Sequence, residues 1–272
     1  MFNVYIDRIP ITYKSFTFSG GEVQVKIGSF PLYHKEDTVT IHAHINNSND
    51  VMELLMITDA LRRFEIGLKI KLKIPYLPYA RQDRVCAKGE ALSLKVFCDL
   101  INAQNYSEVE VWDVHSDVSL ALLNNVANIH QYSLLYFVPK KNVVLVSPDA
   151  GAVKKTSEAS KAYGLPMVTA SKIRDVNTGE ITGTEVHSGH IGDKDFLIVD
   201  DICDGGKTFV ELAKVLRPLT NGNVLLYVTH GIFSKGLQVF DGLIDHIYCA
   251  NRFPSPLPSS PNLTVINTKV YQ

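Results

Sequence analysis

Residues 196–209 read Phe-Leu-Ile-Val-Asp-Asp-Ile-Cys-Asp-Gly-Gly-Lys-Thr-Phe, and the interpretation of the whole chain starts from this stretch. Its first four residues are apolar or β-branched and predict a short buried strand that ends at Val199. Two carboxylates, Asp200 and Asp201, follow directly. A tight loop at residues 204–208 (the glycine loop) then leads into a segment with apolar residues at helical spacing, which a proline ends.

This strand–loop–helix pattern is typical of a site for a sugar phosphate. Glycines let backbone N–H groups face an anion, and a helix N-terminus adds about half a positive charge. Carboxylates next to the loop can accept hydrogen bonds from sugar hydroxyls. We therefore expect the following residues to bind the substrate: Asp200, Asp201, Asp204, Gly205, Gly206, Lys207 and Thr208.

Two other interpretations of the same stretch are weaker. A Walker A loop needs a glycine at position 201, where this chain has Asp201, so that motif is excluded. An ordinary strand–turn–helix with solvated charges is the other alternative. Two adjacent carboxylates at the end of a buried strand would then be costly without a ligand.

The composition restricts the class of protein. The chain has 272 residues and a formal net charge of −1, which argues against broad binding of nucleic acids. Its four cysteines are scattered without a Cys-x-x-Cys pair and indicate free thiols in a reducing compartment. The sequence shows neither a signal peptide nor an apolar run of membrane-spanning length. We expect a cytoplasmic protein with no nucleic-acid or membrane partner.

Strand and helix patterns alternate along most of the chain. This predicts an α/β fold of mostly parallel sheets with helices on both faces, and ligands at the carboxyl ends of the strands. A weak pattern near residues 128–138 predicts two domains, residues 1–131 and 132–272. Two helices are predicted in the first half. One spans residues 51–65 and is capped by Asp50 with Glu53 in the reciprocal position; the other spans residues 91–103 and directs Leu92, Val96 and Leu100 inward.

Two further segments follow predicted strands and carry chemistry. Residues 75–84 read Pro-Tyr-Leu-Pro-Tyr-Ala-Arg-Gln-Asp-Arg; they combine flat aromatic rings with arginines whose fork suits phosphate. A ligand site and a solvated loop with a local ion pair both remain possible. His115 follows the next strand, beside Asp113 and Asp117. A histidine in this position is either structural or catalytic.

Segments from about residue 18 to 235 also carry a resemblance to a known family. They are residues 18–23 (Phe-Ser-Gly-Gly-Glu-Val), 59–63 (Asp-Ala-Leu-Arg-Arg), 79–84 (Tyr-Ala-Arg-Gln-Asp-Arg), 113–115 (Asp-Val-His), 146–149 (Val-Ser-Pro-Asp), 199–201 (Val-Asp-Asp) and 229–234 (Thr-His-Gly-Ile-Phe-Ser). In this order they resemble segments of the ribose-phosphate pyrophosphokinases, also called phosphoribosyl pyrophosphate synthetases. The residues at 79–84 match the most specific signature of that family.

The resemblance implies a fold and an activity. The fold is two type I phosphoribosyltransferase-like domains. The ATP-side domain spans 1–131 and the ribose 5-phosphate-side domain spans 132–272. The last residues of the second domain can pack against the first. The activity is transfer of the pyrophosphoryl group of ATP to the 1-hydroxyl of ribose 5-phosphate, which releases AMP. The implied cofactor is Mg²⁺, with ATP as co-substrate, and the implied assembly is a homo-oligomer, either a dimer or a hexamer.

The resemblance also implies roles for individual residues. Lys172, Arg174 and His115 are expected to be catalytic, the first two on a mobile loop. Metal binding is expected from His115 and Asp149, and ATP binding from Phe18, Glu22, Arg81 and Gln82. Among the departures from the family pattern, Gly20 stands where the family has Asp or Asn. Gly205 lacks the hydroxyl donor of the family, and Lys207 adds a cation.

Two alternatives to this activity remain. A phosphoribosyltransferase would share the fold but has no need of an ATP site such as residues 79–84. A non-catalytic regulatory homologue of the enzyme would be favoured by loss of His115, Lys172 or Arg174, and all three are present.

Overall fold

A computed structural model describes residues 2–31, 34, 37–65, 67–174, 181–252 and 260–266. The chain folds as two compact units, Met1–Ile129 (unit 1) and His130–Gln272 (unit 2). The sequence placed the boundary after Gln131. Residues 253–259 and the last residues, 267–272, lie outside the described residues. None of the helices in the described ranges is long and apolar enough to cross a membrane.

Unit 1 is built on one mixed sheet and a separate hairpin. Its strands are β1 (Phe2–Ile6), β2 (Ile9–Ile11), β3 (Tyr13–Thr17), β4 (Val23–Ile27), β5 (Thr38–Ala43), β6 (Lys69–Ile74), β7 (Glu108–Trp112) and β8 (Val126–Ile129). Its helices are α1 (Ser48–Phe64), α2 (Ser93–Asn102) and α3 (Asp117–Leu122). The sheet order is β2-β1-β5-β6-β7-β8, with β5 to β8 parallel, and β3 and β4 form a two-stranded antiparallel sheet.

Unit 2 is a mostly parallel sheet. Its strands are β9 (Val143–Ser147), β10 (Met167–Arg174), β11 (Ile181–Val186), β12 (Asp195–Cys203), β13 (Val224–Gly231), β14 (His246–Arg252) and β15 (Leu263–Val265). Its helices are α4 (Gln131–Leu134), α5 (Val153–Tyr163) and α6 (Lys207–Leu216). The order is β11-β10-β9-β12-β13-β14-β15, and β10–β11 is the antiparallel pair in the described sheet. Short strand β15 was not predicted.

The sheet of unit 2 brings the predicted site to one edge. Strand β12 lies in the middle, between β9 and β13, and its residues Phe196–Val199 are fully buried. Because parallel strands end at the same edge, the residues that follow β9, β12 and β13 share that edge. Helix α6 packs its predicted apolar face on the sheet, with Phe209, Leu212 and Leu216 buried.

The predicted end of the central strand is wrong. Strand β12 continues through the carboxylate pair to Cys203, with Asp200 paired to Val228 and Cys203 paired to Gly231. The reason is that β13 extends equally far and offers ladder partners to Asp200, Ile202 and Cys203. Both Asp200 and Asp201 therefore lie inside a strand, where the backbone fixes their directions.

The predicted cap of the first helix is also wrong. Helix α1 begins at Ser48, and the side-chain Oδ1 of Asn47 accepts a hydrogen bond from Asp50 N–H at 3.1 Å. Asp50 takes the reciprocal position, because its Oδ2 accepts from Asn46 N–H at 2.6 Å. A reciprocal cap therefore forms one helical turn earlier than the sequence predicted.

The inward face of the helix predicted at 91–103 was misassigned. In α2 the buried residues include Leu94, Phe97 and Ile101, whereas Val96 and Leu100 are 57% and 42% exposed. Both sets have helical spacing, but the buried set includes the large Phe97 ring and buries more apolar area. Tertiary packing selected the larger of two possible apolar stripes.

Candidate active site

The glycine loop has the geometry of an anion cradle. Gly206 is the N-cap of α6 and has the left-handed backbone conformation, with φ of 78°. A Cβ at this position would lie 2.6 Å from Cζ of Phe240, which is buried. Only glycine therefore fits at position 206. No side chain caps α6, so its first N–H groups remain available for an anionic ligand.

A neighbouring loop fixes the position of the glycine loop. The N–H groups of Ile232 and Phe233 donate to the carbonyl of Cys203 at 2.8 and 3.1 Å. Ser234 donates twice to Asp204, from its N–H to the carbonyl at 3.2 Å and from its Oγ to Oδ1 at 2.6 Å. The carboxylate of Asp204, predicted to contact substrate, thus braces the loop that follows β13.

The carboxylates of Asp200 and Asp201 occupy different environments. Asp201 is buried, and its Oδ2 lies 3.1 Å from Nζ of Lys155 on α5. Asp200 is partly exposed, and its Oδ1 accepts from Asp201 N–H at 2.9 Å. Although part of the residue is exposed, loss of water around the Asp200 carboxyl, followed by repulsion from the Asp201 charge, raises its pKa well above the ordinary value. Lys155 therefore favours the charge of Asp201, and Asp200 carries the unfavourable charge of the pair.

A third carboxylate, Asp149, follows β9 at the same edge of unit 2. Its Oδ1 accepts hydrogen bonds from Gly151 N–H at 3.0 Å and Ala152 N–H at 3.3 Å, which hold the carboxylate in one orientation. Its charge also contributes to the raised pKa of Asp200, so negative charge accumulates at this edge.

These oxygen donors are of the type that magnesium prefers. Magnesium usually keeps several waters and binds one or two carboxylates together with substrate phosphates, so it does not require a dense protein cage. The described residues contain no cluster of three or more His, Cys, Asp or Glu side chains arranged to hold a metal. Asp149 fits such a sparse site. His115 offers nitrogen, which suits magnesium less well, and its metal role stays a prediction.

In unit 1, the loop after β6 presents its charged residues to solvent. Leu77 and Ala80 are buried and anchor the loop, and Gln82 N–H donates to the Tyr79 carbonyl at 2.8 Å. Tyr79 adopts a positive φ of 63°, which is uncommon for a residue other than glycine. Arg81 and Gln82 are both exposed at this turn. The loop therefore has a fixed backbone that displays the predicted ATP-binding side chains.

His115 follows β7 in a similarly constrained turn. Asp113 is buried with a positive φ of 43°, and its N–H donates to the Ile129 carbonyl at 2.8 Å. His115 itself is exposed. The turn thus anchors its first residue and presents the histidine at the carboxyl end of the sheet.

The β3–β4 hairpin carries the predicted adenine-binding residues. Phe18 is 54% exposed and its N–H donates to the Glu22 carbonyl at 2.8 Å across the turn. Phe16, also exposed, packs edge-on against Phe18 with ring centroids 5.1 Å apart. A Cβ at Gly20 would lie 2.5 Å from Oε2 of Glu22, so the glycine leaves space that this carboxylate occupies.

The predicted catalytic pair lies in a strand, whereas a mobile loop was expected. Lys172 and Arg174 belong to strand β10, where they pair with Thr184 and Ile181 of β11, and the ladder has an irregularity between residues 173 and 174. The expected mobile loop is therefore, up to Arg174, one arm of an antiparallel pair. Residues 175–180 lie outside the described ranges.

Two lysines at this site were missed by the sequence reasoning. Lys155 contacts Asp201, and Lys235 packs its methylene groups against Gly205. Neither has a local signal, because each reaches the site from an element distant in sequence.

Two models of known protein families match this chain. Residues 5–104 match the family model described as the N-terminal domain of ribose phosphate pyrophosphokinase. Residues 119–230 match the model described as the phosphoribosyl transferase domain.

Relatives match over most of the chain. The ribose-phosphate pyrophosphokinase of Mycoplasma pneumoniae is 33% identical over 239 residues, covering 83% of this chain and 71% of the relative. That of Pyrococcus furiosus is 30% identical over 259 residues, covering 92% of this chain and 90% of the relative. The fold is similar to a crystal structure of phosphoribosylpyrophosphate synthetase from Mycobacterium smegmatis, with a TM-score of 0.74, 21% identity, and coverage of 96% and 87% of the two chains.

Proposed function

This chain belongs to the ribose-phosphate pyrophosphokinase family of enzymes, and we propose that it transfers the pyrophosphoryl group of ATP to the 1-hydroxyl of ribose 5-phosphate. The products are 5-phosphoribosyl 1-pyrophosphate and AMP. The observation that carries this proposal is the edge of unit 2 where a glycine-capped helix N-terminus adjoins the carboxylates of Asp200 and Asp201.

The sugar phosphate binds to unit 2 through two kinds of contact. Its 5-phosphate accepts hydrogen bonds from the first N–H groups of α6 and from the glycine loop, with the helix dipole favouring the negative charge. Its ring hydroxyls donate to Asp200 and Asp201. The Lys155 ammonium pairs with Asp201 and holds this carboxylate at the same edge, where its oxygens accept hydrogen bonds.

The nucleotide binds to residues of unit 1. Arg81 and Gln82 contact the phosphates, where the guanidinium fork suits paired hydrogen bonds. Phe18 offers an exposed ring to the base, and the Glu22 carboxylate accepts from base N–H groups.

The transfer forms a bond between the 1-oxygen of ribose and the β-phosphorus of ATP and breaks the bond from that phosphorus to the oxygen of AMP. Such transfers require positioning and charge neutralisation rather than covalent catalysis. Lys172, Arg174 and His115 stabilise the charge that grows on the phosphate oxygens. When bound, with Asp149 as a ligand and His115 predicted to assist, magnesium would neutralise phosphate charge.

The proposal includes the setting of the enzyme. We propose a cytoplasmic homo-oligomer, either a dimer or a hexamer, that acts on small molecules and has neither a nucleic-acid nor a membrane partner. Sedimentation of the purified protein measures the assembly; a monomer under turnover conditions would contradict that part of the proposal.

Phosphorus NMR tests the reaction. Purified protein with ATP, magnesium and ribose 5-phosphate should produce AMP together with a pyrophosphorylated ribose. Formation of ADP instead would mean attack at the γ-phosphorus and would refute the proposal. Binding of ribose 5-phosphate without turnover would favour the regulatory homologue.

The role of Lys172 is tested by Lys172→Ala. We expect loss of most of the turnover while ribose 5-phosphate still binds, because the lysine acts on charge that develops in the transition state. Calorimetric binding and steady-state rates on the same preparation separate the two quantities. Equal loss of both would contradict the proposed role.

A further inference from the structure

Lys235 lies against the glycine loop of unit 2. It belongs to the turn after β13, and its Cδ and Cε atoms lie 3.6 Å from the position that a Cβ on Gly205 would occupy. The methylene groups of Lys235 therefore lie beside Gly205, at the distance of ordinary van der Waals contact with a Cβ there. The ammonium is one bond beyond Cε, so it lies close to the glycine loop.

The backbone that carries Lys235 is held rigidly to this loop. The preceding residue, Ser234, donates to Asp204 from both its N–H and its Oγ. On the other side, Gly236 N–H donates to the Phe233 carbonyl at 2.8 Å, and Gln238 Nε2 donates to the Lys235 carbonyl at 2.8 Å. The position of the lysine relative to the glycine loop is therefore set by hydrogen bonds on both sides.

The charge of Lys235 is not used elsewhere in the fold. The side chain is exposed, and within the described ranges its ammonium takes part in neither a hydrogen bond nor an ion pair. A phosphate placed on the N–H groups of Gly206 and the first turn of α6 would lie within the reach of this ammonium. Lysine acts on phosphate as a mobile point charge, so it needs no fixed geometry.

We infer that Lys235 binds the 5-phosphate of the sugar substrate and replaces the side-chain donor that position 205 lacks. This inference rests on the proposed function, because it assumes that the glycine loop holds the phosphate of ribose 5-phosphate.

Lys235→Met provides the sharpest test. Methionine keeps an unbranched apolar chain on Gly205 and removes only the charge. We expect the Kd for ribose 5-phosphate, measured by calorimetry without ATP, to rise about tenfold at low salt. Lys235→Arg keeps the charge and should retain most of the affinity. The matched control is Lys194→Met, since Lys194 is exposed and precedes the opposite end of β12.

Salt separates a charge effect from a structural one. The difference between the wild type and Lys235→Met should narrow as NaCl rises from about 0.05 M to about 0.5 M, because screening weakens contacts between charges. A loss of affinity that is equal at both salt concentrations would overturn the inference. So would a Kd for Lys235→Met equal to that of Lys194→Met.

The proposed function can fail separately. A wild-type chain that does not bind ribose 5-phosphate would overturn both the function and the role of Lys235. Tight binding by the wild type with no change in Lys235→Met would overturn only the role of Lys235. Thermal melting of each variant confirms that the fold is intact.

Discussion

Replacing Gly206 by alanine tests whether the glycine loop is shaped by its buried neighbour. The substitution adds one methyl group at a residue whose φ is 78°. That methyl would lie 2.6 Å from Cζ and 2.9 Å from Cε1 of Phe240, and 3.3 Å from Cγ2 of Val239. Phe240 is buried in the core of unit 2, so its ring has little room to move.

Two costs add at this position. The left-handed conformation of a residue with a Cβ costs about 1–2 kcal/mol, and forcing a methyl into a packed core costs about 1–3 kcal/mol. We therefore expect Gly206→Ala to destabilise unit 2 by about 3 kcal/mol. For a unit of this size the thermal midpoint should fall by roughly 6–12 °C.

Two other glycines of unit 2 separate these costs. Gly242 also has a positive φ, of 72°, but a Cβ there meets nothing within 4 Å, so Gly242→Ala measures the backbone cost alone. At Gly205 a Cβ would make only ordinary contact with Lys235, so Gly205→Ala should shift the stability by less than about 0.5 kcal/mol. Differential scanning calorimetry provides the comparison. The reasoning would be refuted if Gly206→Ala were no more destabilising than Gly242→Ala.

Two further predictions concern the carboxylate pair. Asp200→Asn should raise the thermal midpoint at pH values above the raised pKa of Asp200, because the wild type carries an unfavourable charge there. The gain should vanish as the pH falls toward the ordinary value of 3.8. Melts from about pH 9 to about pH 4 measure this, and a gain independent of pH would contradict it. Lys155→Met should destabilise the fold by about 2 kcal/mol in urea unfolding, because it leaves Asp201 buried without its cation at 3.1 Å. Adding Asp201→Asn to Lys155→Met should recover much of that loss, and Lys161→Met on the same helix serves as the exposed control. If the effects of Lys155→Met and Asp201→Asn on the free energy of unfolding were simply additive, the ion pair would be contradicted.

Local patterns were sufficient to predict most of the elements. The apolar run at 196–199 and the helical spacing after the glycines correctly predicted β12 and α6, because both elements bury continuous apolar surfaces. The element ends were predicted less well. The continuation of β12 to Cys203 depends on β13 lying alongside it, and a neighbouring strand leaves no mark in the sequence of the first.

Helix α2 shows a different limit. Its sequence contains two apolar stripes, and the choice between them depends on which one faces the sheet of unit 1. The apolar spacing therefore predicted the helix correctly, but it predicted the wrong buried face, since Val96 and Leu100 are exposed.

The candidate site also contains residues that the sequence could predict and residues that it could not. Residues that chemistry requires beside one another along the chain, such as Asp200, Asp201 and Gly206, could be predicted from spacing. Lys155 and Lys235 could not, because a helix brings Lys155 to Asp201 and a distant turn brings Lys235 to the glycine loop. Oligomer state and bound ions are properties that the sequence predicts only through resemblance.

The hydrogen bonds between the glycine loop and the turn after β13 have a consequence for protein engineering. Ile232, Phe233 and Ser234 supply the N–H groups that the carbonyls of Cys203 and Asp204 accept. A loop transplanted from another enzyme at 203–206 alone would lose these partners unless its backbone followed the same path. The glycine loop and the turn after β13 therefore form one structural unit, although α6 and β13 separate them in the chain. A loop exchange that aims to alter substrate preference must transfer both segments.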